Sequence, residues 1–517
     1  MEEVKETKET KKINLKKICI FALIAVLFVI CLIFIFKSNG SKDESYKESA
    51  LYTESFFIKN KKGKIALYNE SGKKLTDFIY ENAGTFYNGV AFVMLKDAKY
   101  AVINEKGKEV IKSDKYDTIS DYNGFFKARK GELYYLLSND GDELISGKSL
   151  SINTYNKYAP FALVSNGKTY YVYTNDGTKL MEFKQKDSSS KPTVSHLNEY
   201  ASVFYDGKTT VLNLKSKKVI TEIKASDQYC VNNVTEDKKV ITLNSCTSWF
   251  SSNSKADNHG IISNNKFIDL SKKCNNFNVY GNTVVCSSDE AAYILKIKGS
   301  KVEYSKNIRS NAAFYDFDNY AIRNIKSGKV EFYKNGKLAA SVKGTLSALG
   351  KMEENTYLLS DEKGFSYYNI KGKKAINESF KSAKAFDKNG NAIVGDGKSY
   401  YLINGKGKTI SEKYPSMSNY DKYYMVTNAA GNKGIINDKG KVVIDTNYSA
   451  INIKLRYNTY YAQAASEKGN KDIYNLDSKK KILSTTDEIT FTDNIIKTAG
   501  KETKIYNYKG KLIYSEK

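Results

Sequence analysis

"KYAVINEKGKEVI", Lys99 to Ile111, reads as two short strands around a tight turn. Val102 and Ile103 fall in the first strand, Val110 and Ile111 in the second. Asn104 to Lys108 turn the chain, and Gly107 supplies the positive φ that such a turn requires. The phrase returns as "GKIALYNESGKKL" from Gly63, "TYYVYTNDGTKLM" from Thr169, "GFSYYNIKGKKAI" from Gly364, "SYYLINGKGKTI" from Ser399, "KGIINDKGKVVI" from Lys433 and "TKIYNYKGKLIY" from Thr503. The turn residues read as Asn69, Asn104, Asn139, Asn175, Asn213, Asn369, Asn404, Asn437, Asn475 and Asn507. Most neighbours lie roughly 33 to 38 residues apart, a period that marks a solenoid, propeller or array.

Around this hairpin each unit adds an opening strand, such as "VAFVML" (Val90–Leu95), "APFALV" (Ala159–Val164) or "YYMVTN" (Tyr423–Asn428). A linker follows the hairpin and carries an aromatic: Tyr80, Tyr116, Phe380, Tyr414 or Tyr448. Alternation places apolar residues on one face of each strand. A lone three-stranded unit is marginal in water, so stacked copies must bury these faces, with the linker aromatics filling the gaps between units. The expected fold is all-β, with about thirteen three-stranded units. One ordinary propeller has roughly four to eight blades. Two propellers of about six and seven units fit the count, as does a single open β-superhelix. The weakest repeats lie near "HGIISNNKFIDL" (His259–Leu270) and "AAYILKIKGSKVEY" (Ala291–Tyr304), and a longer gap holding "TSWFSSNSKADN" (Thr247–Asn258) marks an insertion or a nearby boundary, with repeat domains expected at 51–275 and 276–517.

The composition suits many short strands: 41 Tyr and 24 Phe accompany only 3 Pro. The formal net charge of +25 is nearly all Lys, since the only arginines are Arg129, Arg309, Arg323 and Arg456. Base-specific nucleic-acid recognition leans on the Arg fork, so nucleic acid is not an expected partner. Lysine spread over turns keeps β edges apart and also attracts anionic polymers.

Ahead of the repeats, Ile18 to Phe36 is an uncharged apolar run of the length that crosses a bilayer. Lys11, Lys12, Lys16 and Lys17 precede it. The positive-inside rule then predicts a cytoplasmic tail (1–17), a single span (18–36), a polar linker (37–50) and an extracellular repeat region. The lipid bilayer is the partner expected of that span.

Cys19 and Cys31 fall in the apolar run. Cys230, Cys246, Cys274 and Cys286 occupy two equivalent positions in successive units. This placement predicts the pairs Cys230–Cys246 and Cys274–Cys286, with buried free thiols as the alternative. No C-x-x-C motif occurs, and His196 and His259 are the only histidines, so neither a metal site nor a cofactor is expected. The chain has no G-x-S-x-G, P-loop or H-E-x-x-H, and two histidines leave little room for imidazole acid–base chemistry.

Two stretches, "NKGIINDKGKVVIDTNYSAI" (Asn432–Ile451) and "AKYAVINEKGKEVIKSDKYDTI" (Ala98–Ile119), resemble the WG-repeat family of β-rich repeats. The Trp-Gly pair itself is reduced to its glycine in Lys433–Gly434 and His259–Gly260, and the one tryptophan, Trp249, lies elsewhere. The resemblance implies a divergent repeat protein and no particular activity. The expected function is therefore non-catalytic binding of an anionic cell-wall polymer, a glycan or a protein, with Lys giving long-range attraction and Tyr stacking on sugars. The alternatives are an anchored carbohydrate-active enzyme with paired carboxylates in a propeller funnel, and a structural spacer or scaffold.

Overall fold

In the unit that contains Lys99–Ile111, Val90–Met94 pairs antiparallel with Tyr100–Asn104, which pairs with Glu109–Ile111. The turn closes on Asn104. Its Oδ1 accepts the backbone N–H of Lys106 and of Lys108, both at 3.0 Å, and its carbonyl accepts that of Gly107, whose φ is 81°. The same three bonds recur at Asn69, Asn369, Asn404, Asn437 and Asn507. A short polar side chain that mimics a backbone acceptor explains why Asn marks the repeat. In two units the register lies one residue earlier than expected. Ser138 Oγ, not Asn139, accepts from Asp140 and Asp142, and the carbonyl of Thr174, not Asn175, accepts from Gly177.

A computed structural model describes residues 55–516 except 157–158, 188–190, 225–227, 247–258, 309–311, 325–326, 457 and 493–494. Among the described residues the strands form thirteen sheets, nine of them four-stranded antiparallel meanders. In chain order they span 55–69, 82–111, 118–147, 151–184, 193–224, 229–269, 276–304, 312–343 (joined by the parallel pair 350–351), 345–369, 382–404, 416–448, 450–485 and 488–516, and are called sheets 1 to 13. The expected three-stranded unit is corrected to four strands. Residues just after the linker aromatic pair with the opening strand, as Thr118–Asp121 does with Phe126–Lys130. Only Ile119 of that strand is buried, so alternation does not betray it. In sheets 1, 9 and 10 the fourth segment shrinks to isolated bridges, Tyr68 with Lys74, Tyr368 with Lys374 and Ile403 with Thr409.

Each sheet shares an apolar cluster with the next. Sheets 2 and 3 bury Val102, Ile111, Phe126 and Leu137 together; sheets 9 and 10 bury Tyr367, Phe380, Val394 and Ile403. The linker aromatics sit in these junctions: Tyr80 between sheets 1 and 2, Tyr116 between 2 and 3, Phe380 between 9 and 10, Tyr414 between 10 and 11, and Tyr448 between 11 and 12. The suggested division after residue 275 falls between sheets 6 and 7. An ordinary junction of Val240, Leu270, Phe277 and Leu295 crosses it, and the described residues make one compact unit.

The last sheet packs on the first. Ile505, Ile513 and Tyr514 join Phe56, Ile58 and Tyr68 in one cluster. Asn507 Nδ2 donates to the Glu70 carbonyl and Lys511 Nζ to that of Ser71, both at 2.9 Å. Arg456 pairs with the Glu70 carboxylate at 2.8 Å and lies 4.0 Å from the centre of the Tyr508 ring.

The single-pass placement is corrected. Among the described residues no helix is long and apolar enough to cross a membrane. The expected span from Ile18 to Phe36, with Cys19 and Cys31, lies outside the described residues.

Candidate functional site

The turn that marks the repeat is also a packing device. In eight sheets its glycine lies flat against the fourth strand or segment of the preceding sheet. A methyl group on Gly107 would meet Thr76 Cγ2 at 2.7 Å, on Gly141 Ile111 at 2.9 Å, on Gly177 Leu144 at 2.9 Å and on Gly407 Ile376 at 2.8 Å. On Gly372 it would meet Ala340 at 2.5 Å, on Gly440 the Ile410 carbonyl at 1.9 Å, on Gly510 the Ile482 carbonyl at 2.3 Å and on Gly72 Ile513 at 3.4 Å. Sheets 5 and 12 keep the long turn but use a leucine: Leu214 and Leu476 are buried in the junction with the sheet before.

Sheets 6, 7 and 8 lack this device. Their third and fourth strands are joined by two residues, Asn264–Asn265, Gly299–Ser300 and Asn335–Gly336. Asn264, Asn265, Asn335 and Gly336 all have φ between 50° and 69°, the signature of the tight hairpin turn that Asn and Gly favour. So short a turn does not reach back over the preceding sheet. Ile220 in sheet 5, the counterpart of Ile513 and Ile482, is therefore left beside an open groove.

This groove has a volume of about 460 Å³. The buried Tyr200, Ile241 and Ile262 give it an apolar base. Asn213, Ser216, Lys218, Lys238, Lys239, Asn264 and Asn265 supply polar lining. Lys238 is held at 3.0 Å by Glu199, whose side chain is only 10% exposed, and Lys239 at 3.1 Å by Asp237. Burial, reinforced by Glu199, pushes the Tyr200 hydroxyl up to about 12, so it stays a neutral hydrogen-bonding group. Lys218, exposed at the start of the fourth strand of sheet 5, has no ion pair among the described residues.

The four cysteines lie next to this region. Cys230 and Cys246 are bonded with Cα atoms 5.1 Å apart, and Cys274 and Cys286 with Cα atoms 5.4 Å apart. Both bonds clip a first strand, or the residues before it, to the end of the second strand in a sheet with a short turn. His259 stands beside Gly260, ahead of the third strand of sheet 6. It is buried, with Nδ1 3.3 Å from Asn244 Oδ1.

Carboxylates collect in sheets 10 to 12, each answered by tyrosine or lysine. Asp421 receives Tyr460 and Lys388, each at 2.5 Å. Asp477 receives Tyr423 at 2.6 Å and Lys422 at 2.7 Å. Asp472 receives Tyr448 at 2.6 Å and Lys481 at 3.1 Å. Asp421 and Asp472 lie below the usual carboxylate range: burial pushes each up, and the hydrogen bonds and lysines overcome it. A catalytic acid needs the opposite shift. Among the described residues no three His, Cys, Asp or Glu side chains gather as a metal would require.

Sequence reading missed Lys218, Lys238 and Lys239 because none stands in a motif. The readable signal was negative, the loss of Asn-x-x-Gly in "GIISNNKFID".

The architecture defines an all-β repeat protein. Residues 65–100 and 100–134 match the family model for the WG containing repeat, so these two units are repeats of that type. Each match starts in the third strand of one sheet and runs into the next sheet, so the sequence repeat is offset from the sheet. No curated protein matches the chain. Among solved structures, BamB from Moraxella catarrhalis aligns over 47% of this chain and 87% of its own, at 11% identity and a TM-score of 0.23. A eukaryotic initiation factor aligns over 90% and 96%, at 10% identity and 0.26. The dihydro-heme d1 dehydrogenase NirN aligns over 63% and 72%, at 12% identity and 0.26. Likenesses of this size carry no argument about function.

Proposed function

We propose that the thirteen sheets close into one propeller-like ring that serves as a non-catalytic binding module for an anionic cell-wall polymer or acidic glycan. The closure is supported by the cluster and hydrogen bonds that join sheet 13 to sheet 1. The binding role rests on one observation: a groove that joins an apolar base to lysine, asparagine and serine, on a chain of net charge +25. Such a mixture suits a sugar or polyol chain, which offers C–H faces, hydroxyls and regularly spaced charges. A volume of about 460 Å³ lies inside the range of roughly 300–1,000 Å³ typical of ligand sites. Asp421, Asp472 and Asp477, engaged by tyrosine and lysine, are poor candidates for a glycoside-cleaving pair, which needs one carboxyl raised and free to donate a proton.

Binding of the full chain to isolated bacterial cell walls across a salt series tests the role. Saturable binding that weakens steeply as salt rises is the expected result. Absence of binding at low salt refutes it. Solution scattering tests the closure, since a ring and an open superhelix of thirteen sheets differ in radius of gyration.

A further inference from the structure

We infer that the groove over the fourth strand of sheet 5 is the subsite that selects charge, and that it binds the phosphate or carboxylate groups of a polyol or saccharide chain through Lys218. This rests on the binding role proposed above and deepens it to one place and one chemistry.

The argument starts from turn length. In every sheet that carries the long turn, a glycine or leucine of that turn packs on the preceding sheet. At sheet 6 only Asn264 and Asn265 make the turn, and the half-buried Ile220 lines the groove. Of the three lysines that line the opening, two already have carboxylate partners, Glu199 and Asp237. These pairs place a carboxylate beside the ammonium groups of Lys238 and Lys239 and offset part of their charge. Lys218 is different: it lines the groove with its charge uncompensated among the described residues. An incoming anionic oxygen therefore meets, in one groove, a lysine without a carboxylate partner among the described residues and two that have one, which favours a charge-assisted hydrogen bond at Lys218. Asn264, Asn265 and Ser216 offer the amide and hydroxyl groups that sugar or polyol hydroxyls need, and Val219 and Ile220 offer an apolar strip for a C–H face. A bare inorganic anion would leave that strip unused, whereas an acidic chain uses both parts.

The test uses the full chain and three labelled probes: a poly(glycerol phosphate) oligomer, an oligogalacturonate and a neutral cello-oligosaccharide. Two variants are compared with the wild type. Lys218→Gln removes the free charge. The second variant replaces Asn264–Asn265 with the five residues of Asn437–Lys441, which restores the covering turn. We expect saturable binding of at least one acidic probe, and the acidic probe that binds identifies phosphate or carboxylate as the source of charge. Lys218→Gln should weaken it about tenfold, the scale of one hydrogen bond to a charged group. The long-turn variant should abolish it while keeping the wild-type unfolding midpoint; if that variant fails to fold, Lys218→Gln decides alone. Wild-type affinity in Lys218→Gln overturns the inference, as does a neutral probe that binds as tightly as the acidic ones. Salt-sensitive binding to cell walls that survives in both variants overturns the groove assignment and leaves the broader binding role standing. If no probe and no cell wall binds the wild type at low salt, both fall.

Discussion

Sheets 9 to 11 and sheets 6 to 8 meet the same demand, that each sheet cover its neighbour, by different means. In sheets 9 to 11 a five-residue Asn-x-x-Gly turn folds back onto the preceding sheet, and the fit is so close that Gly440 has no room for a methyl group. In sheets 6 to 8 the turn is two residues long, and Gly336 has nothing within 4 Å of where a methyl would stand. Two disulfides appear in this stretch, in sheets 6 and 7, and the groove opens at its edge. Covalent crosslinks thus accompany two of the three sheets that lack the long turn. The part of the chain that gives up the repeat turn is also the part where the groove opens.

The sharpest break in this comparison comes from glycine. Gly440→Val adds both a positive-φ penalty and a collision with the Ile410 carbonyl, and should cost about 4 kcal/mol in denaturant unfolding. Gly336→Val carries the φ penalty alone and should cost about 1–2 kcal/mol. Equal costs would refute the docking role of the long turn. Next in size is the loss of a crosslink. Cys230 and Cys246 are 16 residues apart, so the double variant Cys230→Ser with Cys246→Ser should lose about 3 kcal/mol. Hydrogen exchange should rise in sheets 6 and 7 first and leave sheets 9 to 11 unchanged. Exchange that rises evenly around the chain would mean the crosslinks do not substitute for the turn.

A smaller effect is expected at the join of sheets 12, 13 and 1. Arg456 has a side chain only 10% exposed, whereas that of Glu70 is 38% exposed. Solvent screening at the glutamate limits the loss, so Arg456→Ala should cost about 2 kcal/mol and protect sheet 1 less from exchange. An unchanged sheet 1 would argue that apolar packing alone joins the two ends of the chain. The smallest effect is a pH slope at the junction of sheets 11 and 12. Asp472 binds its proton less readily in the fold than in the unfolded chain, because its hydrogen bonds with Ser484, Tyr448 and Lys481 outweigh burial. The stability it contributes is present above about pH 4, the unfolded carboxylate value, and is lost as pH falls through its lower folded value. Asp472→Asn should flatten the acid side of the stability curve; an unchanged slope would assign that slope to other carboxylates.

Much of the architecture was legible because the repeat is written in residues whose backbone preferences are strong. Asn104 and Gly107 mark a turn by themselves, and the alternation in "YAVIN" marks a strand buried on one face. Tyr80, Tyr116, Phe380, Tyr414 and Tyr448 stand 10 to 12 residues after the turn asparagine, so their place between sheets follows from the repeat. The extra strand was not legible, since Asn82–Ala83 and Thr118–Asp121 are short and mostly polar and gain their structure from the neighbour they pair with. The groove was even less so. Lys218, Lys238 and Asn264 lie far apart in the chain and carry no pattern; a missing turn, not a present motif, brings them to one opening.

By itself the sequence determined the all-β class, the repeating hairpin, its turn chemistry and the residues that face each junction, because these depend on φ preferences and on alternation along one strand. Tertiary structure alone decided that sheet 13 packs on sheet 1, that glycines of one unit lie against the previous one, and that a groove opens beside sheet 5. Those features depend on which surfaces meet, and a turn two residues long differs from one of five only when there is a neighbouring sheet for it to reach.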